Sequence, residues 1–153
     1  PDYGNLFDIH NAASQNFPHV SKMVKRGYNV VGVDRAFAAL IRDLDVRGML
    51  DETMVVFLTE FGRTPKINAN GGRDHWGACG SVFFAGAGIE SGQVVGRSDK
   101  QAGYPMTRPY GPADIAATIY HSLGIEGEAR IRDRENRPVP VLDHGRPIAA
   151  VLA

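Results

Sequence analysis

The chain has 153 residues, 43% of them hydrophobic and 22% charged, which suffices for one globular domain with its own core. Lys plus Arg and Asp plus Glu number 17 each, so no net field draws the protein to nucleic acid or to an anionic membrane surface, and nucleic acid is not an expected partner. No apolar stretch approaches the roughly 18 residues of a membrane span, and the single cysteine, Cys79, cannot close an internal disulfide.

Near the start, "FDIHNAASQNF" places Asp8 and His10 two residues apart. In an extended backbone that spacing sends both side chains to one side, where they can share an ion. A carboxylate and a neutral imidazole are donors that zinc, manganese or iron accept, at about 2.0 to 2.2 Å for zinc. Taken alone, a D-x-H is common and marks a solvated turn more often than a metal.

The next segment, "VVGVDRAFAALIRDLDVRG", carries Val30, Val33, Phe37, Leu40, Ile41 and Leu44 at steps of three and four. This is the stripe of an amphipathic helix, expected from about Asn29 to Arg47, with Gly48 as its stop. "TMVVFLT" and "SVFFAGAGI" follow as continuous apolar runs rich in β-branched and aromatic residues. Such runs are expected of strands covered on both faces, hence of a parallel or mixed sheet flanked by helices.

Between these runs stands "FLTEFGRTPKINANGGRDHWG". Glu60 follows the first run immediately, at the carboxyl edge where ligands collect in open α/β sheets. Arg63, Asp74 and His75 follow within the same stretch. Each has a plainer reading: a surface ion pair for Glu60 and Arg63, a turn for "NANGG", and a helix cap with packed rings for "DHW".

Residues from Gly86 to Pro112 read as a long surface excursion. "GPADIAATIYHSLGI" then predicts a helix, with Pro112 at its first position, Ile115, Ile119 and Leu123 on one face, and Gly124 past its end. "PVPVL" is at most a short edge strand. His19, His121 and His144 are assigned no functional role, and Met23, Met49, Met54 and Met106 are expected to fill core gaps.

Taken in this order, the D-x-H, the amphipathic helix, "TEFGRTP", "INANGGRDHW", "SGQVVGRSD" and "PADIAATIYHSLGI" resemble the carboxyl-terminal half of an uncharacterised sulfatase-like bacterial family, domain of unknown function 1501, placed in the alkaline phosphatase superfamily. The resemblance runs from about Phe7 and implies a partial alkaline phosphatase-like α/β fold. The whole chain, 1–153, is then one unit, expected to be the carboxyl-terminal portion of a longer domain, in keeping with a start at Pro1 rather than at methionine.

The resemblance further implies a metal-dependent hydrolase of phosphate or sulfate esters. Asp8, His10 and His75 would hold one divalent ion, with zinc, manganese or calcium as candidates. Glu60 stands where a second metal pair would begin, as metal ligand or base, but Phe61 stands where its histidine is expected. Arg63 would clamp the substrate anion, a sulfated or phosphorylated small molecule, and Asp74 would orient an imidazole. Asp143-His144-Gly145 imitates a superfamily signature but follows the helix that normally comes after the site. No nucleophile is identified, so a non-catalytic metal- or anion-binding remnant and a mutase-like phosphotransferase remain alternatives. Association with a missing amino-terminal half, or a homodimer, is expected, and relatives of this kind are often exported to the periplasm.

Overall fold

The computed structural model describes residues 8–11, 18–23, 25 and 30–153. Its elements, in chain order, are α1 (Val20–Met23), α2 (Val30–Val46), β1 (Met54–Phe57), β2 (Gly62–Arg63), β3 (His75–Trp76), β4 (Phe83–Gly86), α3 (Pro112–Ser122), β5 (Arg130–Arg132) and β6 (Pro138–Pro140). The architecture is mixed α/β. The expected start of the second helix at Asn29 lies outside the described residues, and its stop at Gly48 stands, with φ at +67° in the left-handed region that glycine enters without strain.

The expectation of a parallel or mixed sheet is corrected. β1 and β4 pair antiparallel, with Met54 opposite Gly86 and Phe57 opposite Phe83. Among the described residues the other strands likewise form two-stranded antiparallel ribbons, β2 with β3 and β5 with β6. The reason lies in the connection: parallel neighbours need a crossover, most often a helix, whereas residues 58–82 contain no helix and fold out as the β2–β3 ribbon. The apolar runs are not covered on both faces either, since Phe57 and Phe83 remain 43% and 46% exposed.

α2 lays Phe37 edge-on against both of these rings, 5.6 Å from Phe57 and 5.1 Å from Phe83 between centroids, a favoured aromatic geometry. Val33, Phe37 and Ile41 are half-buried and Leu44 is buried, so the inward stripe is narrower than predicted: Val30 and Leu40 face outward. Of the methionines expected as core, Met23 is buried, while Met49 and Met106 are exposed.

A second small core joins α3 to the end of the chain. Asp114, in the first turn, accepts from the Gly111 N–H at the helix start and from the Arg146 N–H. The fully buried Thr118 hydroxyl donates to the Asp114 carbonyl and accepts from the Ile148 N–H. The tail then pairs Leu152 with Ile89, just past β4. These ties bring α3 and the chain end to the β1–β4 ribbon. "PVPVL" does supply an edge strand, β6, whose prolines are tolerated in a two-stranded ribbon.

The excursion after β4 is partly ordered as a hairpin. Ser98 bridges Pro105, Asp99 and Tyr104 pair through the backbone, and the Trp76 indole N–H donates to Gly103. Trp76 and Tyr104 line a shallow depression with Thr64, Pro65 and Lys66.

Candidate metal centre

The β2–β3 ribbon places Arg63 directly opposite His75. Side chains alternate faces along a strand, so both occupy one face while Gly62 and Trp76 take the other. Gly62 is required there because a β-carbon would lie 1.8 Å from the Cys79 carbonyl oxygen. Onto the Arg63 and His75 face comes the segment carrying Asp8 and His10, more than fifty positions earlier in the chain.

Three groups converge on one atom. Asp8 Oδ1 lies 2.7 Å from His10 Nδ1, 3.0 Å from a terminal nitrogen of Arg63 and 3.2 Å from His75 Nε2. The two imidazoles meet edge to face at 5.1 Å, and Phe61 stacks on His75 at 4.1 Å. The Asp8 carboxyl is held well below the usual carboxylate range, chiefly by its hydrogen bond to His10. Partial burial opposes that shift, and the bonds to His75 and Arg63 reinforce it. The side chain is 35% exposed, so water screens these charges and the set remains reachable from solvent.

Asp8, His10 and His75 each present a donor atom within 4.8 Å of the others. Ligands about 2.1 Å from zinc at tetrahedral angles stand about 3.4 Å apart, so the set is of the right size and chemistry for one divalent ion. An imidazole nitrogen that donates a proton to Asp8 in one tautomer offers a lone pair to a cation in the other. Arg63 shares Asp8 with such an ion, which is possible because a carboxylate has several lone pairs on two oxygens.

Glu60 is not brought into this set: it lies exposed on the turn between β1 and β2. Asp74 is close to the set in sequence, but its carboxylate accepts from the Asn68 amide rather than from an imidazole. Its backbone locks the ribbon end, with the Thr64 N–H donating to its carbonyl. His19 bonds the Ser21 hydroxyl, and His121 and His144 are exposed.

Sequence reasoning missed the loop that holds the two ligand-bearing segments together. Asn68 donates to the His10 carbonyl at 2.7 Å, and buried Gly72 seats against the backbone of Ile9 and His10. "NANGG" looks like an ordinary turn, and the signal that could have found it is the pair of glycines, Gly71 with its left-handed φ of +72° and Gly72 where two backbones touch.

The sequence model of a family described as "Protein of unknown function (DUF1501)" matches residues 3–152. No curated protein and no solved structure matches the chain.

Proposed function

The chain belongs to the DUF1501 family, and from that premise we propose that it is a metal-dependent hydrolase of phosphate or sulfate esters built on an alkaline phosphatase-like fold. The observation that carries the reading is the convergence of His10, His75 and Arg63 on Asp8. Two imidazoles and a carboxylate suit a divalent ion, and an arginine against the same carboxylate suits the oxyanion of an ester.

A divalent ion at Asp8, His10 and His75 would supply Lewis acidity toward an ester oxygen or a more acidic bound water. Arg63 contributes its planar fork of N–H donors, which matches two oxygens of a phosphate or sulfate group at once. Its orientation is fixed by a bond to the Arg73 carbonyl, while Arg73 in turn donates to the carbonyls of Thr64 and Arg63. The guanidinium is therefore aimed before an anion arrives, which lowers the ordering cost of binding it.

A second reading, a non-catalytic metal- or anion-binding domain, is favoured by one feature. Phe61 covers one face of His75 with an apolar ring, where the superfamily resemblance leads one to expect a second metal ligand. The two readings part in one experiment: release of 4-nitrophenol from its phosphate and sulfate esters by protein stripped with chelator and reloaded with zinc, manganese or calcium. Metal-restored turnover that is lost in Asp8→Ala supports the hydrolase. Metal binding without turnover supports the binding domain, and no metal binding overturns the hydrolase and leaves only an anion-binding domain. A mutase would instead pass the phosphoryl group to an added alcohol in place of water.

A further inference from the structure

The metal set is assembled from two segments of chain, and a loop outside the set holds them at their separation. We propose that Asn68 is the positioning residue of the Asp8/His10/His75 centre, acting through the His10 backbone, with Gly72 as the seat on which that backbone rests; the assignment builds on the metal-binding reading above.

The Asn68 amide has every hydrogen-bonding position in use. Its Nδ2 atom donates to the His10 carbonyl and to Asp74 Oδ1, both at 2.7 Å. Its Oδ1 atom accepts from the Asn70 and Gly72 N–H groups, both at 3.0 Å. Two donors and two acceptors are all that an Asn side chain has. The amide cannot turn over without setting its oxygen against two others, so its orientation is fixed by the network.

Gly72 explains why the contact is so close. A β-carbon there would lie 1.9 Å from the Ile9 carbonyl oxygen and 2.8 Å from that of His10. The loop therefore touches the backbone on both sides of the His10 ring's attachment point. The same loop runs directly into His75 through Arg73 and Asp74, and its neighbour Gly71 accepts from the Val20 N–H. One end grips the Asp8 and His10 segment while the other is the strand that presents His75. Asn68 sets the distance between the ligands without touching an ion.

This role differs from general structural support in what it predicts. Asn68→Ser removes the reach to His10 without adding charge, while a hydroxyl oxygen still favours the turn. Asn68→Asp keeps the turn oxygen and loses the donor. Asp74→Asn leaves Asn68 able to donate to both of its partners. Zinc affinity, read by competition with a chromophoric chelator, should fall at least about tenfold in both Asn68 variants, the scale seen when the support of a ligand is removed. Asp74→Asn should stay within about threefold of the parent on the same grounds.

A second readout does not depend on metal. Ring protons of His10 and His75 should show a nuclear Overhauser contact in the parent, since the centroids are 5.1 Å apart, and lose it in Asn68→Ser and Asn68→Asp while the rest of the spectrum stays dispersed. If the contact persists in both, or if Asp74→Asn loses as much zinc affinity as the Asn68 variants, Asn68 does not position the centre. If the contact disappears as expected but the parent binds no zinc, the positioning role stands and the metal reading falls.

Discussion

Asp8 and His75 stand 67 residues apart in the chain, yet the Asp8 carboxylate and the His75 Nε2 atom meet at 3.2 Å. On the metal-binding reading proposed above, that meeting makes a centre out of two short stretches, since a lone D-x-H offers only two donors. Removing either partner should therefore remove most of the binding. Asp8→Ala and His75→Ala should each lower the zinc, manganese or calcium content of the purified protein far below the roughly one ion per chain expected of the parent, because two remaining ligands leave an open, weak site. Glu60→Ala should leave the content unchanged, as Glu60 lies outside the set. Metal analysis decides this, and equal content in all four proteins would sink the site.

Arg63 tests the anion half of the reading. Phosphate or sulfate should raise the melting temperature through mass action, equivalent to about 2.7 kcal/mol at a hundredfold excess over the dissociation constant. Arg63→Lys should lose most of that protection, since lysine keeps the charge but not the fork that bonds two oxygens. An arginine serving only its contact with Asp8 would leave anion protection unchanged on the exchange, because that half-buried ion pair would not be part of an anion site. Thermal melts with graded phosphate separate the two, and a protection that survives in Arg63→Lys locates the anion elsewhere.

The members of the Asp8 cluster were legible by residue type, although Glu60 and Asp74, singled out in the same way, stay outside it. Asp8, His10, Arg63 and His75 announce themselves by residue type, and the structure gathers these four on one face. Helices α2 and α3 were legible too, because an apolar stripe and a following glycine are local signals. The strand pairing was not, because a continuous apolar run looks the same whether its neighbour is parallel or antiparallel; the chain between the runs decides, and residues 58–82 form a ribbon instead of a crossover helix. Asn68 was invisible for another reason. Its partner is a backbone carbonyl 58 positions away, and backbone partners leave no mark on residue type.

Asp114 predicts how the fold responds to acid. Hydrogen bonds from the Gly111 and Arg146 N–H groups hold its carboxyl below the ordinary value of 3.8. A carboxyl whose folded value is depressed adds stability that is fully present above the unfolded value and disappears as pH falls through the folded one. The protein should thus lose stability as pH drops below about 3.8. Asp114→Asn should be less stable at neutral pH and should melt with a shallower dependence on acid, since one of the three lowered carboxyls among the described residues, alongside Asp8 and Asp133, no longer titrates. Parallel melting curves against pH for the two proteins would show that Asp114 does not tie α3 to the tail.

Thr118 tests the same junction without charge. Its hydroxyl is fully buried and accepts from the Ile148 N–H while donating to the Asp114 carbonyl. Thr118→Val conserves the shape but strands a buried N–H without a partner, which costs about 1 to 3 kcal/mol. Urea unfolding should show that loss as a lower midpoint with an unchanged slope. A variant as stable as the parent would mean that water replaces the hydroxyl at the Ile148 N–H.

The last prediction concerns the apolar end of the β1–β4 ribbon. Phe57, Leu58, Val82 and Phe83 are all exposed there, around 40 to 50%, and among the described residues no third strand pairs with either edge of the ribbon. Contiguous apolar surface beside an unpaired edge is what drives one chain onto another. The protein should therefore self-associate with rising concentration, with a sedimentation coefficient that climbs above that of a monomer. Phe83→Lys should suppress the association, because a charge pointing from the ribbon must be desolvated in any close contact and repels its copy. It should spare zinc binding, since Phe83 is not among the residues that meet Asp8. Sedimentation of the parent as a monomer at a few hundred micromolar would mean that this apolar end is tolerated in water as it stands, and equal association of parent and Phe83→Lys would move the contact to another face.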